Sequence, residues 1–273
     1  MKNKYVYFFL PVIFALVFFW GCGVIGGPPS NLQITSAGDS TSVQLTWTTP
    51  PQGVPDSFLI YFCPANDSVF SVVGDTTGNT YIHNPQGLTG SYQVSAIFAG
   101  KEYKCPNILA TIPIHTPPKV VYELDGVGDA GYGWHRDQDT GTGQVYSMRQ
   151  KGNADKVDFY ITDFSTGSNL PYLIASPDMG PSEPSGVVDS AGWRRTGFTN
   201  PLNDENAPLP TINETIYFNF TEIPNTLPAL IGCFTVGDNH YGLIKVLGVN
   251  TQNATVEVES WFQLIPNLRL IHH

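Results

Sequence analysis

Hydrophobic and polar positions alternate along most of the chain, and the alternating segments are short. In one such segment the apolar residues Val43, Leu45 and Trp47 are separated by polar ones, which is typical of a strand with one buried face. Gly, Pro, Asn and Asp separate the alternating segments, and helical periodicity is nearly absent. The pattern therefore predicts an all-β fold of short strands and frequent turns.

The first part of this pattern, residues 31–114, predicts a β-sandwich, because about seven short strands follow one another there. The same region resembles a fibronectin type III domain. Pro29-Ser30-Asn31-Leu32 resembles the opening of that family's first strand, Trp47 its core tryptophan, and residues 88–96, with Tyr92, its tyrosine-corner segment. The resemblance implies a spacer or an adhesive module in which Trp47 and Tyr92 have structural roles.

A second β-rich domain is expected over residues 119–273, after a proline-rich linker at 115–118. Its end predicts an antiparallel hairpin of residues 241–249 and 254–263. Together with the fibronectin type III-like sandwich, this gives an all-β chain of two domains. Short segments of the second domain resemble haemophore-type lipoproteins of Bacteroidetes, a resemblance that implies haem binding but carries over no ligand residue.

The N-terminal residues combine a basic start, with Lys2 and Lys4, and an apolar run at 5–20. That run is too short for an ordinary membrane span of about 20 residues. Gly21-Cys22 follows and resembles a bacterial lipobox, the site where a cysteine is acylated and the chain is cut before it. The resemblance implies a signal peptide at 1–21, lipidation of Cys22 and a tether at 22–30. An uncleaved anchor and ordinary secretion are the alternatives.

The charge of the chain limits its partners. The formal net charge is −10, and it becomes −12 when Lys2 and Lys4 leave with the signal peptide. An acidic chain of this kind is repelled by nucleic acid, so no nucleic-acid partner is expected. We expect the protein to be lipid-anchored through Cys22 in a bacterial cell envelope, at the outer membrane or cell surface, with a protein or a glycan as its partner.

Three further cysteines, Cys63, Cys105 and Cys233, are expected to be buried free thiols. A disulfide between Cys63 and Cys105 is the alternative, since export would permit it. The strand assignment places these two residues two strands apart in one sheet, about 9.6 Å, which exceeds the ~5.5 Å that a disulfide prefers between Cα atoms.

Candidate ligand-binding residues are few. His135 and His240 are candidate haem ligands, although a turn and a strand end also account for them. Asp137 and Asp139 begin a segment like a calcium loop, but Met148 stands where such a loop carries a bidentate Glu. A hairpin turn with solvated carboxylates is the other interpretation. Asp125 and Asp129 would join them only if the loops converge.

An exposed binding surface is predicted at Trp193, Arg194 and Arg195, in a long irregular region that forms the one local basic spot of the chain. The sequence contains no Gly-x-Ser-x-Gly, His-Glu-x-x-His or Cys-x-x-Cys motif. We therefore expect no enzyme and no cofactor, but non-enzymatic binding, adhesion or an envelope structural role. Haem or other small-ligand binding by the C-terminal domain is the first alternative, and a hydrolase is the second.

Overall fold

The computed structural model describes residues 26–136, 141–164, 172–182, 192–212 and 218–273. The prediction of an all-β fold is confirmed, because a fibronectin-like sandwich is followed by a second β domain. The predicted signal peptide at 1–21 and the predicted lipidation site Cys22 lie outside the described residues. Within the described part of the chain, no helix has the length and apolar character needed to cross a membrane.

The first domain consists of two antiparallel sheets that face each other. One sheet has the order β1-β2-β5 and the other the order β4-β3-β6-β7, with β8 added to β6. The strands are β1 (Ser30–Ser36), β2 (Val43–Thr48), β3 (Ser57–Pro64), β4 (Ser71–Thr76), β5 (Thr80–His83), β6 (Gly90–Phe98), β7 (Lys101–Lys104) and β8 (Leu109–Ala110).

The core of this sandwich forms where the predicted alternation placed it. Val43, Leu45 and Trp47 are all buried, and Trp47 packs edge to face on Phe58 with ring centroids 5.2 Å apart. Tyr92 is fully buried on β6, and its hydroxyl lies 2.9 Å from Nδ1 of the His83 ring. Trp47 and Tyr92 are thus core residues, as the fibronectin resemblance implied.

The cysteines of the described residues are buried free thiols, as predicted. Cys63 lies on β3 and Cys105 directly follows β7, and β6 separates these two strands. The alternative of a Cys63–Cys105 disulfide is therefore wrong. Cys233 is completely buried in the second domain, and burial raises the pKa of its thiol. None of the three has the exposed, electropositive surroundings of a reactive thiol.

The second domain is a sandwich of two further antiparallel sheets. One has the order β11-β10-β12-β13-β15 and the other the order β14-β16-β17-β18-β9. The strands are β9 (Ile114–Tyr122), β10 (Gly131–Trp134), β11 (Gly143–Tyr146), β12 (Phe159–Thr162), β13 (Leu173–Ala175), β14 (Arg195–Phe198), β15 (Phe220–Glu222), β16 (Ala229–Val236), β17 (His240–Asn250) and β18 (Thr255–Phe262).

Aromatic side chains from both sheets fill the space between them. Trp134 on β10 stacks on Phe262 of β18, with centroids 4.9 Å apart and the planes inclined by 12°. The Trp134 indole N–H donates to Oγ of Ser260 at 3.0 Å, so its one polar atom is paired. The terminal hairpin predicted from the sequence is present as β17 and β18. Strand β14 was not predicted and lies in the region expected to be irregular.

The proline-rich segment at 115–118, predicted to be a linker, lies inside strand β9. Proline cannot donate a backbone hydrogen bond, which confines it to edge strands and to irregular positions. Both conditions are met, because β9 is the edge of its sheet and its pairing with β18 shifts register between Val258 and Ser260. The connection between the domains is therefore part of the second sheet.

The last residues of the chain, 264–273, return to the first domain and are called the C-terminal strap below. Ile265, Leu268 and Leu270 of the strap are buried in the same hydrophobic cluster as Leu45 and Trp47. The core of the fibronectin-like sandwich is thus completed by side chains from the opposite end of the sequence. This packing was not predicted.

Hydrogen bonds also hold the C-terminal strap to the first domain. The Arg269 amide donates to the carbonyl oxygen of Ser40 at 2.8 Å, and the Thr89 hydroxyl donates to the carbonyl oxygen of His272 at 2.6 Å. Gln263, which directly precedes the strap, donates from its buried side-chain amide to the carbonyl oxygens of Thr111 and Leu270. Apolar and polar contacts together make the two domains one packed unit.

We predict that Ile265→Ala lowers the free energy of unfolding by about 2–5 kcal/mol, because it leaves a cavity in the core of the first domain. The measurement is urea denaturation of the chain from residue 23 to residue 273. Ile82→Ala is the matched control, since Ile82 is exposed on β5 and its truncation should cost less than about 0.5 kcal/mol. Equal losses for the two variants would contradict the packing of the strap.

Candidate functional site

The prediction of an exposed surface at Trp193, Arg194 and Arg195 is wrong for Trp193. Trp193 is buried and packs in a cluster with Met148 and Tyr160. Arg194 points one guanidinium nitrogen at Asp158, 3.0 Å away, while Arg195 begins β14 and is exposed. The tryptophan therefore anchors this segment to the domain instead of presenting a contact surface.

The two candidate haem ligands are engaged in other contacts. His240 is buried, its ring packs on Phe262, and Nδ1 lies 2.9 Å from the carbonyl oxygen of Gln263. A carbonyl oxygen only accepts, so Nδ1 carries the hydrogen. Burial lowers the pKa of His240, which favours the neutral ring. His135 is half-buried, with Nε2 3.4 Å from the hydroxyl of Tyr146.

The candidate calcium residues Asp137 and Asp139 lie outside the described residues. Asp129, which was expected to join them only if the loops converge, is exposed. Asp125 does converge with other carboxylates, but these are Glu123 and Asp163. Glu123 and Asp163 were not among the residues predicted from the sequence.

A buried charged network is centred on Asp158, which is 0% exposed. Arg136 binds its carboxylate with two nitrogens, each 2.7 Å from an oxygen, and Arg194 adds a third contact. The backbone amide of Trp134 donates to it at 2.8 Å. No local signal in the sequence marks the two arginines as the partners of Asp158.

The network extends to the second sheet through Asp238. Arg136 donates from Nε to Asp238 at 2.8 Å and lies 4.8 Å above the Phe262 ring. Burial would raise the pKa of Asp238, but the hydrogen bond from Thr235 and the charge of Arg136 outweigh it, and the pKa is lowered. All these charges are paired with good geometry, so the network joins the sheets and offers no acid or base for catalysis.

We predict that Asp158→Asn lowers the free energy of unfolding by about 3–5 kcal/mol, since it removes the buried carboxylate charge that the half-buried Arg136 and Arg194 share. The measurement is urea denaturation with circular dichroism. Asp155→Asn, an exposed position three residues earlier, is the control and should change stability by less than about 0.5 kcal/mol. An Asp158→Asn loss no larger than the control's would show that the network does not stabilise the domain.

A cluster of three carboxylates lies at one end of the second domain. Glu123, Asp125 and Asp163 each offer an oxygen, and these oxygens lie within 4.8 Å of one another. Glu123 is 5% exposed, and its Oε2 accepts the backbone amide of Asp125 at 2.9 Å. Burial, and then the charges of Asp163 and Asp125, raise the pKa of Glu123 to about 7. Negative charge is therefore crowded at this position.

An open groove of about 350 Å³ lies next to β15 at the edge of its sheet. It is bordered by Phe218 and Phe220, which are 49% and 41% exposed. Phe164, adjacent to Asp163 in the chain, packs edge to face on Phe220 with centroids 5.2 Å apart. The lining residues are Asn200, Pro201, Phe218, Phe220, Thr221, Glu222 and Pro224. Aromatic rings, an amide and a carboxylate thus border one open surface.

Comparison with known proteins identifies the first domain. Residues 27–106 match the family model of the fibronectin type III domain, which confirms the resemblance seen in the sequence. No curated protein matches the chain. Because this domain is a non-catalytic fold, it fits a non-enzymatic extracellular or structural role.

Two solved structures are similar to this chain, the first over part of it and the second over most of it. An Fn3-like protein from Clostridium thermocellum is 18% identical and covers 31% of this chain and 90% of its own, with a TM-score of 0.28. A DUF4466 family protein from Parabacteroides merdae is 13% identical and covers 88% of this chain and 99% of its own, with a TM-score of 0.42.

Proposed function

We propose that this protein is a lipid-anchored, extracytoplasmic adhesion protein that binds saccharides, without enzymatic activity, through the groove at Phe218 and Phe220. The groove is the observation that carries the proposal. The anchor is supported by the sequence alone, through the basic start, the apolar run and the Gly21-Cys22 ending. Acyl chains on Cys22 would add about 0.8 kcal/mol of membrane affinity per buried methylene.

The composition of the groove favours a saccharide over an apolar ligand. Two exposed phenyl rings offer flat apolar faces, and Asn200 and Glu222 bring an amide and a carboxylate to the same surface. A sugar ring carries apolar C–H faces and hydroxyl groups that donate and accept, so it complements both kinds of surface. The groove is open, which suits a ring of a longer polysaccharide.

The packing of the C-terminal strap supports a role in presenting this surface. A flexible spacer would let the second domain turn freely, whereas Ile265 and Leu268 fix it to the first domain. The groove would then be held at one orientation relative to the first domain. A fixed orientation reduces the entropy lost when a surface-bound partner is engaged.

Haem binding, the alternative from the sequence, has no comparable support. His240 is buried against Phe262 and is hydrogen-bonded to the chain, and neither His135 nor His240 lines the groove. The hydrolase alternative finds no support at Asp158, because its carboxylate is paired with Arg136 and Arg194. The single carboxylate of the groove, Glu222, does not make an acid–base pair.

We predict that Cys22→Ser moves the protein from the membrane fraction to the soluble fraction when it is expressed in a bacterium with an outer membrane. The acyl chains would have no attachment site, so labelled fatty acid should also be lost. The measurement is fractionation followed by immunoblotting. Cys63→Ala, at a buried free thiol, is the control and should stay in the membrane. Membrane retention of Cys22→Ser would refute lipid anchoring.

We predict that Phe218→Ala weakens saccharide binding roughly two- to tenfold, the value of one aromatic contact. The measurement is binding of the chain from residue 23 to residue 273 to an array of immobilised glycans, followed by titration of the best one. Val120→Ala is the control, because Val120 is 52% exposed on β9, at the edge opposite β14 in its sheet. The saccharide proposal fails if no glycan binds, or if both variants bind like the wild type.

A further inference from the structure

We propose that Glu123, Asp125 and Asp163 form a binding site for a calcium ion. The three side chains each offer one oxygen, and these atoms lie within 4.8 Å of one another. Oxygen ligands at the usual Ca²⁺ distance of about 2.4 Å are separated by at most ~4.8 Å, when they stand on opposite sides of the ion. The cluster therefore has the dimensions of a shared coordination sphere.

The backbone explains why residues so distant in sequence converge. Glu123, just after β9, forms a parallel bridge with Ile161 of β12. Two residues further along, the first segment reaches Asp125 and the second reaches Asp163. Parallel segments advance together, so the two aspartates arrive side by side next to Glu123. The sequence spacing alone gave no sign of this register.

A second observation, independent of the clustering, comes from the buried side chain of Glu123. Its Oε2 accepts the amide of Asp125, but Oε1 is buried without a hydrogen-bond partner among the described residues. Buried polar atoms in native proteins are almost always paired, and one without a donor needs a specific explanation. A cation coordinated by this oxygen supplies the missing partner.

The charges around the cluster agree with a cation site. The three carboxylates have oxygens within 4.8 Å of one another, so their negative charges repel one another in the absence of a cation. Arg149 is near, but its Nη2 donates to the carbonyl oxygen of Leu124 at 2.8 Å. A divalent ion would neutralise the crowded charge and give all three carboxylates a common partner.

The ligand set selects among metals. All three ligands are carboxylates, which are hard oxygen donors, while zinc sites are built mainly from Cys and His. Magnesium requires shorter distances of about 2.0–2.1 Å in an octahedron, so its ligand oxygens lie at most ~4.2 Å apart. Calcium accepts oxygen ligands in a larger and more flexible sphere, so three carboxylates on two separate segments favour calcium over magnesium.

Calcium at this position would link the two sheets of the second domain. Glu123 and Asp125 extend from β9, in one sheet, and Asp163 follows β12, in the other. The ion would join these segments next to the bridge between Glu123 and Ile161. This inference does not depend on saccharide binding, since the cluster and the groove are lined by different residues.

The test is isothermal titration of the chelator-treated chain, residues 23–273, with CaCl₂, together with its melting temperature with and without calcium. We expect one ion per chain with a dissociation constant of about 10⁻⁴–10⁻³ M, and a melting temperature that rises with calcium. Asp163→Asn should weaken binding at least about tenfold, because it removes one of three charged ligands. Asp129→Asn, an exposed carboxylate of the same loop, is the matched control and should bind calcium like the wild type.

A third variant guards against loss of folding. Glu123→Gln keeps the shape of the buried side chain and removes its charge, so it should fold without calcium and lose the calcium-dependent rise in melting temperature. The proposal is overturned if the wild type binds no calcium at millimolar concentration. It is also overturned if Asp163→Asn and Glu123→Gln bind calcium as tightly as Asp129→Asn. Glycan binding plays no part in either readout.

Discussion

The burial of Ile265, Leu268 and Leu270 in the core of the first domain is the constraint on which the relation of the two domains depends. A fibronectin type III domain ordinarily carries its own core, and here the last residues of the chain contribute to it. Full burial of an aliphatic side chain contributes about 1.5–3 kcal/mol, so three of them amount to a large part of the stability of a small domain. Because the strap directly follows the second sandwich, it joins both units into one cooperative structure.

The second domain contains two clusters of charged side chains. In one the negative charge is neutralised by arginines, and in the other it is not. Asp158 is surrounded by donors, and its two arginines complete a network whose members all have partners. Such a network is expensive to break and has no free group for chemistry. At the carboxylate cluster the charges are not balanced, since Glu123 is buried beside two further acids and one of its oxygens has no donor in the described part of the chain. The first arrangement is complete within the chain, whereas the second requires a cation from outside.

Period-two alternation was sufficient to predict most strands of the first domain, the terminal hairpin and the buried position of Trp47, because these depend on local pattern; it missed β7. It could not predict that Trp193 is buried, since an irregular segment beside arginines looks exposed until the distant Asp158 is known to pair with one of them. The strap was missed for a similar reason: residues 264–273 have no alternation, and their partners lie far away in the sequence, in the first domain. Convergence of Glu123 with Asp163 likewise depends on register between strands.

The central claim is that the two sandwiches form one cooperative unit, and native-state hydrogen exchange tests it most directly. The slowest amides of β6, in the first domain, and of β17, in the second, would be followed at increasing denaturant in the unmodified sequence from residue 23 to residue 273. If the strap unites the domains, both sets open with the same free energy and the same denaturant dependence. Two distinct opening free energies, with β6 exchanging while β17 stays protected or the reverse, would show that the domains unfold independently and would contradict the account.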